Sequence, residues 1–326
     1  MRLIRPRISW RVVVITCIAL MLGGAALTVR PDVFMQPNPG ARNVDRQAFT
    51  WRSPAGRVHT MDLWHPSDVR PGETLAVLLF SPEYGQSPPA YDRLIRRIAS
   101  RGYAVLAVRH RYSEPFSFAT QVGPLASDLL EGLDFATSRK TKGDVLFGRM
   151  NLERVGAFGH SFGGAIAAEV CTRDPRVVAG MDLDGSIFGR ALETGTPCPF
   201  FLLMSALPWT ETFRREPPKF YVDRDQGRIH EEMLFDRSAT AYWLTVQGLE
   251  HMSFTDAAVA ASTRDGFAVR VGVRLDAPRT HELTARYLSA FFGRYVRNES
   301  DTALLVQSPY PFATLRRRVV QPASGY

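Results

Sequence analysis

The sequence predicts an α/β protein with a mostly parallel central sheet and helices on both faces of that sheet. Short, uniformly apolar runs recur along the chain, among them LAVLLF (75–80) and YAVLAV (103–108), and such runs are typical of strands buried on both faces. Segments with helical periodicity lie between them, which favours parallel strands joined by helices. The chain has 326 residues, 45% of them apolar, which is enough for one large core.

The expected elements alternate along most of the chain. Residues 49–66 predict two strands around a turn at Ser53–Gly56, and a helix over 88–102 follows the strand at 75–80. Further strands are expected at 103–108, 154–159, 177–184, 199–205 and 241–248, and further helices at 124–138, after Phe162 and at 281–296. A charged, proline-broken segment at 206–238 is interpreted as a cap over the edge of the sheet.

The N-terminal segment has the pattern of an export signal. Four arginines between residues 2 and 11 precede an uncharged run, Val12–Val29, and this order directs the following chain out of the cytoplasm. Cleavage after Ala26 and retention as a membrane anchor are both open, because an apolar run of this length just spans a bilayer. We therefore expect a signal peptide or signal anchor (1–29), a linker (30–48), the main domain (49–297) and a C-terminal tail (298–326).

The net charge of +8 does not indicate nucleic-acid binding. Only three of the 40 basic residues are lysines. The arginines are scattered, apart from short clusters such as Arg316 to Arg318, and no motif of an RNA- or DNA-binding module accompanies them. No nucleic-acid partner is expected, and the sequence does not indicate an oligomeric state.

The stretch GHSFGG (159–164) is the most informative motif. It lies where an apolar strand ends and an alanine-rich helix begins, and a G-x-S-x-G pattern in that context presents the serine on a sharp strand-to-helix turn. Ser161 would then stand at a helix N-terminus, where backbone NH groups and the helix dipole stabilise an oxyanion. The motif predicts a nucleophilic serine, with a plain glycine-rich turn as the alternative.

A nucleophilic serine needs a base, and the base needs an orienting carboxylate, in the chain order Ser, acid, His. Three histidines follow in the required order, and two of them lie in a charged segment (His230) or within a helix (His281). His251 follows the last predicted parallel strand, at the sheet edge where catalytic loops gather, and is the predicted base.

The acid and the second oxyanion donor are expected after two other strands. In MDLDG, Asp184 is the last residue before the glycine and is favoured as the acid, with Asp182, two residues deeper in the strand, as the alternative. The loop SPEYGQSP (81–88) follows the first central strand. Its predicted oxyanion donor is the backbone NH of Tyr84, because Pro82 has none.

Together these motifs resemble the type II platelet-activating factor acetylhydrolase family and its bacterial relatives, within the α/β-hydrolase superfamily. The resemblance rests on GHSFGG, on LDG 23 residues after the serine, on HMSFTD after the last strand, and on FSPEYGQSPPAYDRLIRRIASRGYAVLAVRHR. It covers about residues 49–297. PEYG departs from the usual histidine-glycine sequence of the family's oxyanion loop.

The resemblance implies an α/β-hydrolase fold and a complete set of catalytic groups. These are Ser161 as nucleophile, Asp184 as acid, His251 as base and the amides of Phe162 and Tyr84 as oxyanion donors. It also implies cleavage of short or oxidised acyl chains from phospholipids, or the general esterase and polyester-hydrolysing activities of bacterial relatives, with no metal or organic cofactor.

The expected function is an exported serine hydrolase that cleaves short-acyl lipid or phospholipid esters through an acyl-enzyme. Its expected partner is a small-molecule or lipid ester. Aromatic residues near the expected pocket mouth, Tyr84, Phe162 and Phe254, would limit the length of the acyl chain. The alternatives are a cutinase-like or general esterase, an acyltransferase or thioesterase with the same triad, and a non-catalytic binding protein.

Cys171 and Cys198 are predicted to form a disulfide, because export places them in an oxidising compartment. Cys171 lies near the end of the helix after Ser161, and Cys198 lies just before the strand at 199–205. Both positions are expected at the sheet edge opposite the active site. The alternative is two buried, inert thiols.

Overall fold

The computed structural model describes residues 41–53, 56–114, 116–206, 224–262 and 275–320. The strands are β1 Val44–Arg52, β2 Val58–Pro66, β3 Leu75–Ser81, β4 Tyr103–Val108, β5 Met150–His160, β6 Val177–Leu183, β7 Phe200–Ser205, β8 Thr240–Val246 and β9 Ala313–Val319. The α-helices are α1 Asp92–Ala99, α2 Phe118–Thr141, α3 Val145–Gly148, α4 Phe162–Arg173, α5 Arg190–Thr194, α6 Arg224–Arg237, α7 Asp256–Ser262, α8 Ala277–Tyr295 and α9 Ala303–Val306. Two short 3-10 helices span Pro88–Tyr91 and His251–Phe254.

The strands form one mostly parallel sheet in the order β1-β2-β4-β3-β5-β6-β7-β8-β9. The pairs among β4, β3, β5, β6, β7 and β8 are parallel, whereas the pairs β1–β2, β2–β4 and β8–β9 are antiparallel. Every residue of β3, β4 and β7 is buried, as expected for parallel strands covered on both faces. The predicted fold class is therefore confirmed.

Helices cover both faces because successive side chains of a strand point in opposite directions. Val77 and Leu79 of β3 belong to one core with residues of α2 and α4. Phe80 of the same strand faces the other way and contacts Tyr91, beside α1, with ring centroids 5.1 Å apart. Phe292 of α8 lies on this second face.

The order of the strands reverses next to β3. The chain passes from β3 to β4 on one side and then returns to β5 on the other side of β3. Since β3 and β5 are parallel, with Ser81 opposite Gly159, the loops that follow them leave the same edge of the sheet side by side. Such a reversal opens a crevice at the carboxyl ends of the strands, where ligands of open α/β sheets bind.

Two predicted segment boundaries differ from the structure. Strand β1 begins at Val44, inside the expected linker, and the expected tail supplies β9, which pairs with β8 from Thr240 opposite Val319 to Val246 opposite Ala313. The sequence of β9 contains three consecutive arginines, so it lacks the apolar alternation that indicates a strand.

Some predicted segments lie partly or wholly outside the described residues. These are the signal or anchor at 1–29, most of the linker, and residues 207–223 of the expected cap. The last part of that cap is the helix α6. Among the helices that the structure describes, none combines the length and the apolar composition needed to cross a membrane.

The two cysteines are neighbours but are not bonded to each other. Cys171 and Cys198 are free, buried thiols and members of one hydrophobic core. Burial raises the pKa of the Cys171 thiol, and the hydrogen-bonded thiol of Cys198 raises it further. The predicted disulfide is therefore absent from the structure, where both thiols fill core positions as small apolar side chains do.

We predict that both thiols are free in the folded protein. Protein denatured without reductant should be alkylated at Cys171 and at Cys198, because neither sulfur is consumed in a bond. Peptide mass spectrometry measures this directly. A disulfide-linked pair of peptides that separates only after reduction would contradict the prediction.

Candidate active site

A strained turn between β5 and α4 carries Ser161. Its backbone has φ 56° and ψ −123°, a region that residues other than glycine rarely occupy. The Ser161 NH donates to the Leu183 carbonyl at 3.0 Å, and the Ser161 carbonyl accepts from the Gly164 NH at 2.9 Å. A Cβ atom on Gly163 would lie 2.1 Å from the Ser81 carbonyl oxygen. Glycine at this position therefore lets α4 begin directly against β3.

The backbone groups proposed for the oxyanion lie at the start of α4 and in the loop after β3. Phe162 is the first residue of α4, where the NH group has no acceptor within the helix. Tyr84 belongs to the loop after β3. The NH of the preceding residue, Glu83, donates to the Tyr91 hydroxyl at 3.2 Å and is therefore engaged.

Asp184 and His251 form a buried hydrogen-bonded pair. Asp184 directly follows β6 with φ 53°, and its Oδ2 lies 2.9 Å from His251 Nδ1. Its other oxygen accepts from the Ser205 NH at 2.8 Å. Burial by itself lowers the pKa of His251, but the hydrogen bonds and charges of Asp184 and Glu83 raise it to about 9.

The second ring nitrogen of His251 faces a carboxylate that the sequence analysis missed. Nε2 lies 3.4 Å from Glu83 Oε1. Among the described residues the Ser161 side chain makes no hydrogen bond to His251. The structure thus brings the predicted acid and base together and packs the His251 ring 4.6 Å from the ring of His160, the residue before Ser161, but it pairs the base nitrogen with Glu83. The available signal was the glutamate in PEYG, where the sequence departs from the related oxyanion loops.

A buried bridge ties the Glu83 loop to the His251 loop. His160 Nε2 lies 2.8 Å from the His251 carbonyl oxygen, which only accepts, so this nitrogen carries the proton. His160 Nδ1 therefore accepts from the Tyr91 hydroxyl at 2.8 Å, and that hydroxyl accepts the Glu83 NH. Burial, together with the neighbouring charge of His251, lowers the pKa of His160 well below its ordinary value. His160 is accordingly a neutral structural link between the two loops.

The alternative acid, Asp182, lies beneath the turn and does not reach His251. It is fully buried, and an added Cβ on Gly164 would come 1.7 Å from its Oδ1. Burial, with the nearby Asp184 charge, raises the pKa of Asp182 well above its ordinary value. The pKa of the buried Glu231 is also raised, by burial and then by Asp182. Asp184, and not Asp182, is therefore the carboxyl group that contacts the imidazole.

An aromatic cluster surrounds Phe162, the residue that follows Ser161. Its rings contact one another at centroid distances between 4.1 and 6.1 Å, and its members are Tyr84, Tyr112, Phe116, Phe118, Phe162 and Phe188. Phe118 and Phe188 are only half-buried. Phe254 is not part of the cluster: it is fully buried and contacts His160 at 4.9 Å, so its expected place at the pocket mouth is wrong.

One group among the described residues has the composition of a metal site. His59, Asp128 and Glu131 each offer a ligand atom within 4.8 Å of the others. A guanidinium nitrogen of Arg57, however, lies 3.0 Å from one oxygen of each carboxylate. Both carboxylates therefore already have a cationic partner, and the group is explained as an ion-pair network.

Comparison with known proteins supports the fold class. No protein-family profile matches the chain. A ferulic acid esterase from Streptomyces cinnamoneus has a similar structure, with a TM-score of 0.65 and 24% sequence identity over 85% of this chain and 97% of the esterase. This similarity, with the sheet order and the strained serine turn, defines the chain as an α/β-hydrolase in fold.

Curated relatives then indicate the family. The chain is 22% identical to the platelet-activating factor acetylhydrolases of Cavia porcellus and Bos taurus, over 74% and 76% of its length. It is 28% identical, over 37% of its length, to a probable 1-alkyl-2-acetylglycerophosphocholine esterase of Arthroderma benhamiae. The matches cover 62%, 62% and 34% of these relatives, so the chain spans less than two thirds of their length. They support the resemblance to the platelet-activating factor acetylhydrolase family.

We predict that Gly164→Ala destabilises the protein by about 1–3 kcal/mol, the usual cost of an added methyl group in a closed site. The new Cβ would overlap the carboxyl group of Asp182, which is too deeply buried to move aside. Urea denaturation measures the free energy of unfolding.

The matched control is Gly148→Ala, because no atom lies within 4 Å of a Cβ added there. That variant should unfold at the wild-type urea concentration or slightly above it. Equal stability of the Gly164→Ala and Gly148→Ala variants would contradict the packing described for the turn.

Proposed function

We propose that the protein is an exported serine hydrolase that cleaves short-acyl esters, including lipid or phospholipid esters. The observation that carries the proposal is the buried Asp184–His251 pair beside a serine held in a strained turn at the carboxyl edge of a parallel sheet. The names of the curated relatives, esterases and acetylhydrolases, support the same class of reaction.

The reaction would proceed in two acyl-transfer steps. Ser161 Oγ attacks the ester carbonyl as His251 Nε2 takes its proton, and the alcohol leaves with that proton. Asp184 holds the Nδ1 proton and stabilises the imidazolium. The amide groups of Phe162 and Tyr84 donate to the oxyanion. Water, deprotonated by the same imidazole, then hydrolyses the acyl-enzyme and restores the serine.

The aromatic cluster supports a preference for short acyl chains. Its half-buried rings stand against the first turn of α4, where the acyl group of a serine-bound substrate must lie. Each of the six rings packs against at least two others, and such packing would leave little room for a long acyl chain. The arginine-preceded N-terminal run supports a location outside the cytoplasm, either as a secreted protein or through an anchor at residues 12–29.

We predict that Ser161→Ala and His251→Ala each lower kcat/KM for a short-acyl p-nitrophenyl ester by about 10⁴-fold or more, as in other serine triads. Asp184→Asn should have an effect of similar order, because the amide fixes the wrong tautomer of the imidazole. A spectrophotometric assay, with circular dichroism to verify folding, measures both quantities.

Asp182→Asn is the control, because Asp182 lies two residues before Asp184 in the sequence, is buried, and does not contact the imidazole. It should retain most of the activity.

A wild-type fluorophosphonate adduct on Ser161 supports an enzyme, and failure of the folded protein to react would favour a binding protein. Near-normal turnover by His251→Ala would overturn the assignment of the base.

We predict that acetyl and butyryl esters are cleaved faster than octanoyl or longer esters. Phe188→Ala should shift the optimum toward longer chains, because it removes a half-buried ring from the aromatic cluster. The measurement is kcat/KM across a series of acyl lengths. Phe135→Ala, a half-buried ring in a separate aromatic group with Phe49 and Phe147, should leave the profile unchanged. A wild-type preference for long chains would be incompatible with the proposed pocket.

A further inference from the structure

The Glu83 carboxyl group lies next to His251 Nε2, the atom that accepts the serine proton in the proposed reaction. The proton of Ser161 must pass to Nε2 of His251, yet in this structure Nε2 lies 3.4 Å from Glu83 Oε1. The Glu83 side chain is only 18% exposed, so water screens its charge incompletely. Its backbone is fixed by the hydrogen bond from its NH to Tyr91 and by one from the Gln86 NH to its carbonyl at 3.0 Å.

The protonation state of His251 follows from its two partners. Nδ1 faces a carboxylate oxygen of Asp184 at 2.9 Å, and Nε2 faces a carboxylate oxygen of Glu83. An ionised carboxylate only accepts hydrogen bonds, so both ring nitrogens must carry protons for both contacts to be favourable. The imidazole held in this way is an imidazolium, and an imidazolium has no lone pair with which to accept the serine proton.

The other groups around His251 do not reverse this conclusion. His160, at the end of β5, is neutral and donates to the His251 carbonyl. Burial and the Asp184 charge raise the pKa of Asp182, deeper in β6, well above its ordinary value and so disfavour a negative charge there. Among the described residues, the carboxyl groups that face the two ring nitrogens are therefore those of Asp184 and Glu83.

We propose that Glu83 is a positioning residue that pairs with the protonated ring of His251 in the free protein and withholds Nε2 from Ser161 until the pair is broken. The proposal rests on the proposed hydrolase function. Its consequence is that hydrolysis increases on the alkaline side of neutrality, where the ring loses its Nε2 proton. Asp184 acts differently, because its contact with Nδ1 is retained throughout the reaction.

The test is the pH profile of kcat/KM for a neutral short-acyl ester, measured with wild type and with Glu83→Gln. The glutamine side chain has the same shape as glutamate but carries no charge. The wild-type acid limb should lie near the His251 pKa of about 9. Removal of the negative charge favours the neutral imidazole, so the limb of Glu83→Gln should move to lower pH by about one unit or more. Its kcat/KM at pH 7 should rise about tenfold, without a gain at the alkaline plateau.

Two further variants make the result specific. Glu153→Gln removes an exposed carboxylate of β5 and should leave the acid limb in place. Glu83→Asp keeps the charge but withdraws it by one methylene, so its limb should lie between those of wild type and Glu83→Gln. If Glu83→Gln unfolds, the Glu83→Asp profile decides the question. An acid limb unchanged in both Glu83 variants would overturn the proposal.

A second readout does not depend on activity. The imidazole resonances of His251, assigned by their loss in His251→Gln, can be titrated by NMR in wild type and Glu83→Gln. A lower His251 pKa in Glu83→Gln supports the pairing, and equal pKa values overturn it. If wild type neither hydrolyses esters nor reacts with a fluorophosphonate at any pH, the hydrolase function fails, whereas the NMR comparison still decides whether Glu83 holds the ring.

Discussion

The left-handed backbone conformation of Ser161 is the constraint on which the rest of the candidate site depends. A non-glycine residue held there costs about 1–3 kcal/mol and persists only when its surroundings fix it. The surroundings are specific: one hydrogen bond to β6, one within the first turn of α4, and a glycine that lets the helix touch β3. Asp184 also has a positive φ, 53°. The two chemically important side chains thus leave their strands at strained positions that the packing of the parallel sheet maintains.

Electrostatics at this edge depend on which buried carboxyl groups ionise. Asp182, Asp184 and Glu231 lie in one buried region, and three negative charges there would repel one another strongly. The raised pKa values of Asp182 and Glu231 disfavour a negative charge on either group. Asp184 is the carboxyl group of this region that contacts the imidazole. Glu83 adds a second charge from the opposite loop. The hydrogen bonds and charges of these two carboxylates, one on each ring nitrogen, raise the pKa of His251.

The sequence predicted the buried parallel strands, the serine turn and the Asp184–His251 pair, because each is encoded locally by an apolar run, a glycine pattern or a position at a strand end. It failed where long-range contacts decide the structure. Helix α2 extends through Pro124, which local rules place at a helix start. The Glu83 contact joins residues 168 positions apart (251 − 83). No periodic pattern in the sequence of either segment predicts this contact.

Strand β9 closes one side of the sheet with an unusual sequence. An edge strand offers unpaired backbone groups that a second molecule can extend into a continuous sheet, and proteins oppose this with charge. Arg316, Arg317 and Arg318 are all exposed on this strand. Arg316 pairs with Glu232, whereas Arg317 and Arg318 have no ion pair among the described residues, so pairing of two copies of the edge would bring like charges together. The positive charge of β9 thus opposes edge-to-edge pairing of two molecules. A truncation that removed β9 would expose the backbone groups of the apolar β8 and would leave the protein prone to self-association.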